Sequence, residues 1–208
     1  FEGYVEQFRI FTDSLTNGGI MVYNDEDAIV KEVVESSTHP IKKYPYNTPT
    51  YEIEDGITAI DTPDGMMPLE IFGDHNLQNL AGAKWICQHM GIDEDDFYEA
   101  IASFKGASKR LEKIAENKQT VIFKDFAHSP SKVKATTEAV KKQYVKREVI
   151  ACLELHTYSS LNAEFLGEYQ GALDKADKAV VFYSPHAVKI KQLDEVTTAQ
   201  IGAAFGRK

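Results

Sequence analysis

The sequence predicts an α/β fold in two parts, and three observations carry that reading. Beyond about residue 108, strand-like apolar runs alternate with helical stretches in βαβαβα order, which implies a mainly parallel sheet with right-handed crossovers. Earlier in the chain, Tyr51-Glu52-Ile53 and Ile57-Thr58-Ala59-Ile60 alternate across Asp55-Gly56, and Asp64-Gly65 precedes Met66, Met67, Leu69 and Ile71. Such dipeptides between alternating runs signal hairpins, so an antiparallel meander is expected there. Gly106-Ala107-Ser108 reads as the linker, which sets the units at 1–107 and 108–208.

Taken in order, Tyr4, Val5, Phe8, Phe11 and Leu15 recur at helical spacing and predict an amphipathic helix already under way with these residues as its apolar face. Asn17-Gly18-Gly19 ends it, and Ile20 to Tyr23 reads as a strand. Asn24-Asp25-Glu26-Asp27 then caps a helix over Ala28 to Val34 and complements its dipole. His39-Pro40 and Tyr44-Pro45-Tyr46 disfavour helix, since the residue before proline avoids the α region. After the meander, Asp74 is expected to cap a helix whose Leu77, Leu80, Ala81, Trp85 and Ile86 face the core. Asp93 to Asp96 start another, carrying Phe97, Ile101 and Phe104. In the second part the expected elements are Thr120 to Phe123, Val133 to Tyr144, Glu148 to Leu153, Leu161 to Leu173, Lys178 to Tyr183 and Val196 to Phe205, strand and helix by turns.

Composition narrows the function. The chain has 208 residues, enough for a substantial core, with 43% hydrophobic and 26% charged residues. A net charge of −9 argues against a broad nucleic-acid-binding face and against attraction to an anionic membrane. No apolar run approaches the roughly 18 residues of a membrane span, and no signal peptide is visible, so a cytoplasmic location is expected. Cys87 and Cys152 lack metal-ligand spacing and are read as buried thiols in a reducing compartment. Starting at Phe1 and stopping at Lys208, the chain reads as a piece of something longer.

The chemistry concentrates on turns. Val121, Ile122 and Phe123 form a short strand, and Ser129-Pro130 opens a helix, so Asp125 and His128 fall on a strand-to-helix turn. In an open α/β sheet that edge binds ligands beside a helix N-terminus that attracts anions. His156 and His186 follow the next two strands, which puts three histidines on one expected rim. Their long spacing carries no zinc signature, and no metal site is expected in this chain. His75, Asn76 and Asn79 open the helix after the meander, with the two asparagines three apart on one face.

Three blocks in this order, G-D-H-N-L-Q-N, F-K-G-A-S-K-R-L-E and F-K-D-F-A-H-S-P-S-K-V-K-A-T, resemble the Mur ligase family of ATP-dependent peptidoglycan amide ligases. The nearest branch resembles the muramate:alanine ligases and the murein peptide ligases. The resemblance implies an N-terminal UDP-binding domain, a central ATPase domain, and a Rossmann-like C-terminal domain that closes over the nucleotide. Residues 1–107 would be the last part of the central domain and 108–208 the C-terminal domain, stopping short of its last strands. The family's phosphate loop, G-x-x-G-K-[ST], is absent, and its magnesium ligands would lie upstream. The chain by itself is therefore expected to be inactive.

Residue by residue, the resemblance places His75, Asn76 and Asn79 against adenine and Arg110 against the ribose or a phosphate. Lys109 stands where the family has another arginine. Asp125 would contact ribose or position the domain, and His128 would approach the phosphates or the amine. Phe126 and Ser129 depart from the commoner D-Y-A-H-H-P pattern, and His156 and Tyr158 stand where many relatives carry arginines for a substrate carboxylate. ATP, Mg2+, UDP-N-acetylmuramate and an amino acid or peptide are the implied cofactors and substrates, with the missing N-terminal part of the same protein as partner. Folylpolyglutamate and cyanophycin ligases share the superfamily but fit the H-N-x-x-N and D-F-A-H forms less well. A noncatalytic nucleotide-binding or protein-interaction module is the alternative from another class. A dinucleotide dehydrogenase is disfavoured, because no G-x-G-x-x-G follows a strand.

Overall fold

The computed structural model describes Phe1–Gly206 and divides into two units, Phe1–Glu52 with Thr58–Phe104, and Ile53–Ile57 with Lys105–Lys208. In the first unit, helix α1 (Glu2–Asp13) forms where periodicity placed it, and its apolar face is largely exposed. Tyr4 is 65% and Phe11 58% accessible, and Tyr4 packs edge-to-face on Phe8 instead. The residue α1 does bury is Thr12, whose hydroxyl donates to the Phe8 carbonyl and so tolerates the apolar contact.

Strand β1 (Ile20–Asn24), helix α2 (Ala28–Ser36) and strand β2 (Lys42–Tyr46) form a parallel βαβ unit, with Ile20 opposite Lys42 and Asn24 opposite Tyr46. The Asp27 carboxylate caps α2 by accepting from the Ile29 and Val30 amides. Strand β2 was not legible in advance. Pro45 lies inside it opposite Tyr23, and a proline is tolerated because β2 pairs on one side only among the described residues.

Strands β3 (Tyr51–Glu54), β4 (Ile57–Thr62) and β5 (Gly65–Leu69) make the expected three-stranded meander. Asp55 and Gly56 have φ of 49° and 80°, the left-handed pair that a two-residue hairpin turn requires. Helices α3 (Asp74–His89) and α4 (Glu94–Ala102) then close a core of Ile60, Leu69, Ile71, Leu77, Leu80 and Phe97. Two expectations fail here. Ile86 is exposed rather than inward, and Gly73, not Asp74, is the residue that caps α3. Gly73 takes φ 89°, a conformation that favours glycine, and Asp74 becomes the first helical residue.

The second unit runs β6 (Glu112–Glu116), β7 (Val121–Lys124), α5 (Pro130–Gln143), β8 (Ile150–Leu155), a 3₁₀ turn (Leu166–Tyr169), β9 (Lys178–Tyr183), α6 (Pro185–Ile190) and α7 (Thr198–Ala204). The α/β class holds, with two differences in detail. β6 is an additional strand, antiparallel to β7, so the parallel pairing is that of β8 with β9. The stretch Leu161 to Leu173 is a series of turns around one 3₁₀ turn rather than a helix. Local hydrogen bonds explain this: the Asn162 side chain accepts from the Glu164 amide, Thr157 and Ser160 exchange bonds, and Gly171 takes φ 77°. Its apolar residues reach the core even so, Leu161, Leu166, Tyr169 and Leu173 joining Val133, Leu153, Leu155 and Ile201. Cys87 is half-buried and Cys152, on β8, is exposed, which corrects the expected burial of both thiols. No helix among the described residues is long and apolar enough to cross a membrane.

Candidate functional site

The first unit contributes the start of α3. Its cap, Gly73, carries no side chain to bond the first-turn amides, and Asp74 adds an acidic group there whose carboxylate accepts the Tyr51 hydroxyl. Asn76 is half-buried, and its amide nitrogen donates to the Phe72 carbonyl at 2.9 Å. That bond fixes the amide plane and reserves the side-chain oxygen as acceptor. One face of the helix thus carries Asn76, held, and Asn79, exposed, while His75 is half-buried beside them.

A cluster that the sequence did not reveal holds this turn in place. Gln78 donates to the Glu26 carboxylate at 2.7 Å and to the Thr48 hydroxyl at 3.1 Å, while Thr48 donates to Glu26 from its hydroxyl and its amide at 2.6 and 3.1 Å. Glu26 follows β1 and Thr48 follows β2, so the carboxyl ends of the parallel pair grip α3. These bonds, the Thr48 hydroxyl foremost, lower the Glu26 pKa from its ordinary value. Position 26 had been assigned to the capping group of α2; Asp27 alone performs that task.

The second unit contributes two turns. Asp125 is committed to structure: one carboxylate oxygen accepts from the Ala127 amide at 2.7 Å, the other from the Leu111 amide at 3.0 Å and the Thr136 hydroxyl at 3.2 Å. It therefore ties the end of β7 to α5 and to the loop carrying Arg110. That loop is strained, with Lys109 at φ 58° and Leu111 at φ 48°, and Arg110 lies between the two. Glu112 accepts from the Lys109 amide at 2.7 Å, which lowers its pKa, and the Phe126 amide donates to the Lys109 carbonyl. The outcome is an Arg110 guanidinium 5.9 Å from the Phe126 ring centre, within cation–π range.

Phe126, His128 and His156 form a ring cluster, with centroids 5.1 Å apart for Phe126–His128, 5.8 Å for Phe126–His156 and 5.9 Å for His128–His156. Each histidine is turned by its own chain, Nδ1 of His128 lying 2.9 Å from the Phe126 carbonyl and Nδ1 of His156 3.2 Å from that of Glu154. The His128 carbonyl accepts the hydroxyl of Tyr169, a residue 1% exposed whose pKa is raised by burial. Tyr169 escaped notice because its stretch read as a helix. Tyr158 is exposed with the Lys191 ammonium 4.0 Å over its ring. His186 sits in the first turn of α6, exposed, and no hydrogen bond or ring contact joins it to the other two histidines among the described residues. Ser129 caps α5 in position but donates and accepts no capping bond, and Pro130 occupies the first turn. No group of three His, Cys, Asp or Glu side chains gathers as metal ligands among the described residues.

Comparison with known proteins follows the same division. The Mur ligase, glutamate ligase domain family matches residues 109–206. A UDP-N-acetylmuramate–L-alanine ligase of Caldicellulosiruptor bescii is 27% identical over 206 residues, 93% of this chain and 45% of its own. One of Caldicellulosiruptor saccharolyticus is 30% identical over 86% of this chain and 42% of its own. The chain thus spans less than half the length of these relatives. Among solved structures, the UDP-N-acetylmuramate–alanine ligase of Thermotoga maritima aligns with 99% of this chain and 45% of its own at a TM-score of 0.64 and 16% identity. A folylpolyglutamate synthase of Mycobacterium tuberculosis complexed with ADP aligns over 90% and 43%, at 0.59 and 19%. Residues 109–206 thus match the Mur ligase, glutamate ligase domain family, and along most of its length the chain is similar to UDP-N-acetylmuramate–L-alanine ligases.

Proposed function

We propose that this chain is part of a cytoplasmic, ATP-dependent amide ligase that joins L-alanine, or a peptide beginning with it, to UDP-N-acetylmuramate in peptidoglycan synthesis or recycling. Residues 1–107 are read as the last part of its central ATP-binding domain and 108–208 as its C-terminal domain. One observation carries the reading: the three family-like sequence blocks coincide with three built features, the start of α3, the strained loop at Arg110 and the ring cluster after β7.

The residues at α3 fit a purine. With its nitrogen engaged by Phe72, Asn76 offers an acceptor to an exocyclic amine, Asn79 offers both donor and acceptor, and His75 offers a flat face. Arg110 holds ribose or a phosphate, its direction set by the Phe126 ring. Asp125 serves as a positioning residue, since its three bonds hold the Arg110 loop and the turn before α5. His128 meets the phosphates or the incoming amine, and His156 and Tyr158, the latter with Lys191 over its ring, meet the substrate's carboxylate. When bound, ATP supplies the phosphoryl group that turns the muramyl carboxylate into an acyl phosphate open to amine attack. The magnesium ligands are assigned to the rest of the parent protein, upstream of this chain, as the resemblance implies. Catalysis of this kind rests on positioning and charge neutralisation, which suits a chain contributing held amides, a guanidinium and imidazoles.

The test is an assay of the complete parent protein with ATP, magnesium, UDP-N-acetylmuramate and either L-alanine or L-alanyl-γ-D-glutamyl-meso-diaminopimelate. Phosphate release that requires both the nucleotide sugar and one amine is expected. Absence of release with either amine overturns the reading.

A further inference from the structure

Along the carboxyl-end edge of the second unit, groups able to meet an anion are left open. Among the described residues, no hydrogen bond reaches Nε2 of His128, Nε2 of His156, the Tyr158 hydroxyl or the Lys191 ammonium. At the other end of the same strands the cations are neutralised. Lys178, which opens β9, pairs with Glu148 at 2.8 Å, and Lys141 pairs with Asp177 at 2.7 Å. Lys191 differs: the acids nearest it in sequence, Asp194 and Glu195, form no ion pair with it among the described residues. Its ammonium stands instead 4.0 Å from the centre of the Tyr158 ring.

Two separate pieces of chain build this pair. Tyr158 lies in a turn that Thr157 and Ser160 close on each other, the Thr157 amide donating to the Ser160 hydroxyl at 2.9 Å and the Ser160 amide to the Thr157 hydroxyl at 3.1 Å. Ser160 and Leu161, each 1% exposed, root the turn in the core, while the Tyr158 ring stays 63% exposed. Lys191 ends α6, which the buried Val188 anchors. The chain then reverses at Gln192, φ 55°, so that the Leu193 amide reaches the Val188 carbonyl at 3.2 Å. Glycine is the usual residue at such a helix end, so Gln192 holds a strained corner directly beside Lys191. Both partners thus project from fixed backbone. A ring face steadies a long side chain without neutralising its charge, and the remaining donors of the ammonium stay available.

We infer that Lys191 is a specificity-determining residue of the site: its ammonium, steadied on the Tyr158 ring, receives a carboxylate of the amine substrate. The inference rests on the ligase reading and deepens it, since it moves the grip to the end of α6 from the turn after β8. A guanidinium fork fits a carboxylate through two fixed parallel bonds, whereas an ammonium on a four-carbon stem meets it as a point charge. The site therefore registers the charge of each partner more than the geometry between them.

The test uses the complete parent protein, with phosphate release followed against amine concentration in excess ATP, magnesium and UDP-N-acetylmuramate. Lys191→Ala should raise KM for the accepted amine about tenfold with kcat and KM for ATP little changed, and Lys191→Arg should recover most of the loss. Carboxamide forms of the amine, one carboxylate replaced at a time, add a readout that a merely structural role would not move. One of them should lose about tenfold in kcat/KM with the unsubstituted protein and nothing further with Lys191→Ala, because both changes remove the same contact. An unaltered KM for the amine in Lys191→Ala overturns the inference. So does an equal rise in KM for ATP, or a carboxamide loss that is the same in both proteins. Each of these outcomes leaves the ligase reading standing, whereas absence of release by the unsubstituted protein overturns both.

Discussion

At the start of α3 the organising carboxylate, Glu26, belongs to a residue 52 positions from its Gln78 partner, whereas at the start of α5 it is Asp125, on the strand end that leads into the helix. Both helices begin without a side-chain cap bond, after Gly73 and Ser129 respectively. The difference lies in what is held. Around α3 the network clamps the helix itself, and the polar groups it displays ride on a rigid element. Around α5 the carboxylate clamps the backbone of two flanking loops, and the rings it displays ride on turns. Recognition groups on helices tolerate loss of one anchor better than groups on turns, because helix bonds keep their geometry.

Asp125→Ala is the largest test of that contrast. It removes three bonds and leaves the Leu111 and Ala127 amides without their acceptor, at a cost of about 2–3 kcal/mol read by urea unfolding. Arg110 should also lose its fixed approach to Phe126, visible as sharper loss of order at Lys109–Leu111 in hydrogen exchange. Stability within about 0.5 kcal/mol of the parent would show that the turns hold themselves.

Tyr169→Phe comes next. It preserves packing but removes the donor to the His128 carbonyl, costing about 1–1.5 kcal/mol in the same measurement. No change would place the anchor of His128 elsewhere.

For the helix-borne groups the readout is affinity. In the complete parent protein, Asn79→Ala and Asn76→Ala should each weaken ATP about tenfold by calorimetry, with overall stability little changed. Unaltered affinity in both would remove α3 from the nucleotide site.

The smallest effect concerns acid. The Glu26 pKa is lower in the folded chain than its ordinary value of 4.5, so its bonds to Thr48 and Gln78 add stability at pH values above 4.5. That increment should fade as pH falls below 4.5, and Glu26→Gln should flatten the acid limb of a melting-temperature profile. An identical profile in the variant would mean that Glu26 does not carry it.

How much of this was legible in the sequence varied with the distance over which each feature is decided. Asp55-Gly56 announced its hairpin because the left-handed geometry is a property of those two residues. Asp27 and Asp93 announced helix starts for the same reason. Asp125 and His128 were found on their turn, since strand, cap and proline are adjacent in the chain. By contrast, the Gln78–Glu26–Thr48 cluster joins three elements, and nothing local marks its members as partners. The helix expected over Leu161 to Leu173 failed because its apolar spacing served a folded-back set of turns that buries the same side chains. The apolar face read on α1 lies largely exposed, since periodicity establishes that a helix has an apolar side without establishing what lies against it.

By itself, then, the sequence determined the class of fold, the meander, the two helix starts near Asn76 and His128, and the resemblance of its three blocks to Mur ligases. These depend on backbone preferences and side-chain spacing within a few residues. Only the tertiary structure decided that Asp125 is spent on holding a strained loop, that Tyr169 supports His128 from the core, and that β6 runs antiparallel to β7. Those outcomes depend on which distant groups meet, and a hydrogen bond or a strand pairing between remote segments leaves no periodic trace in either one.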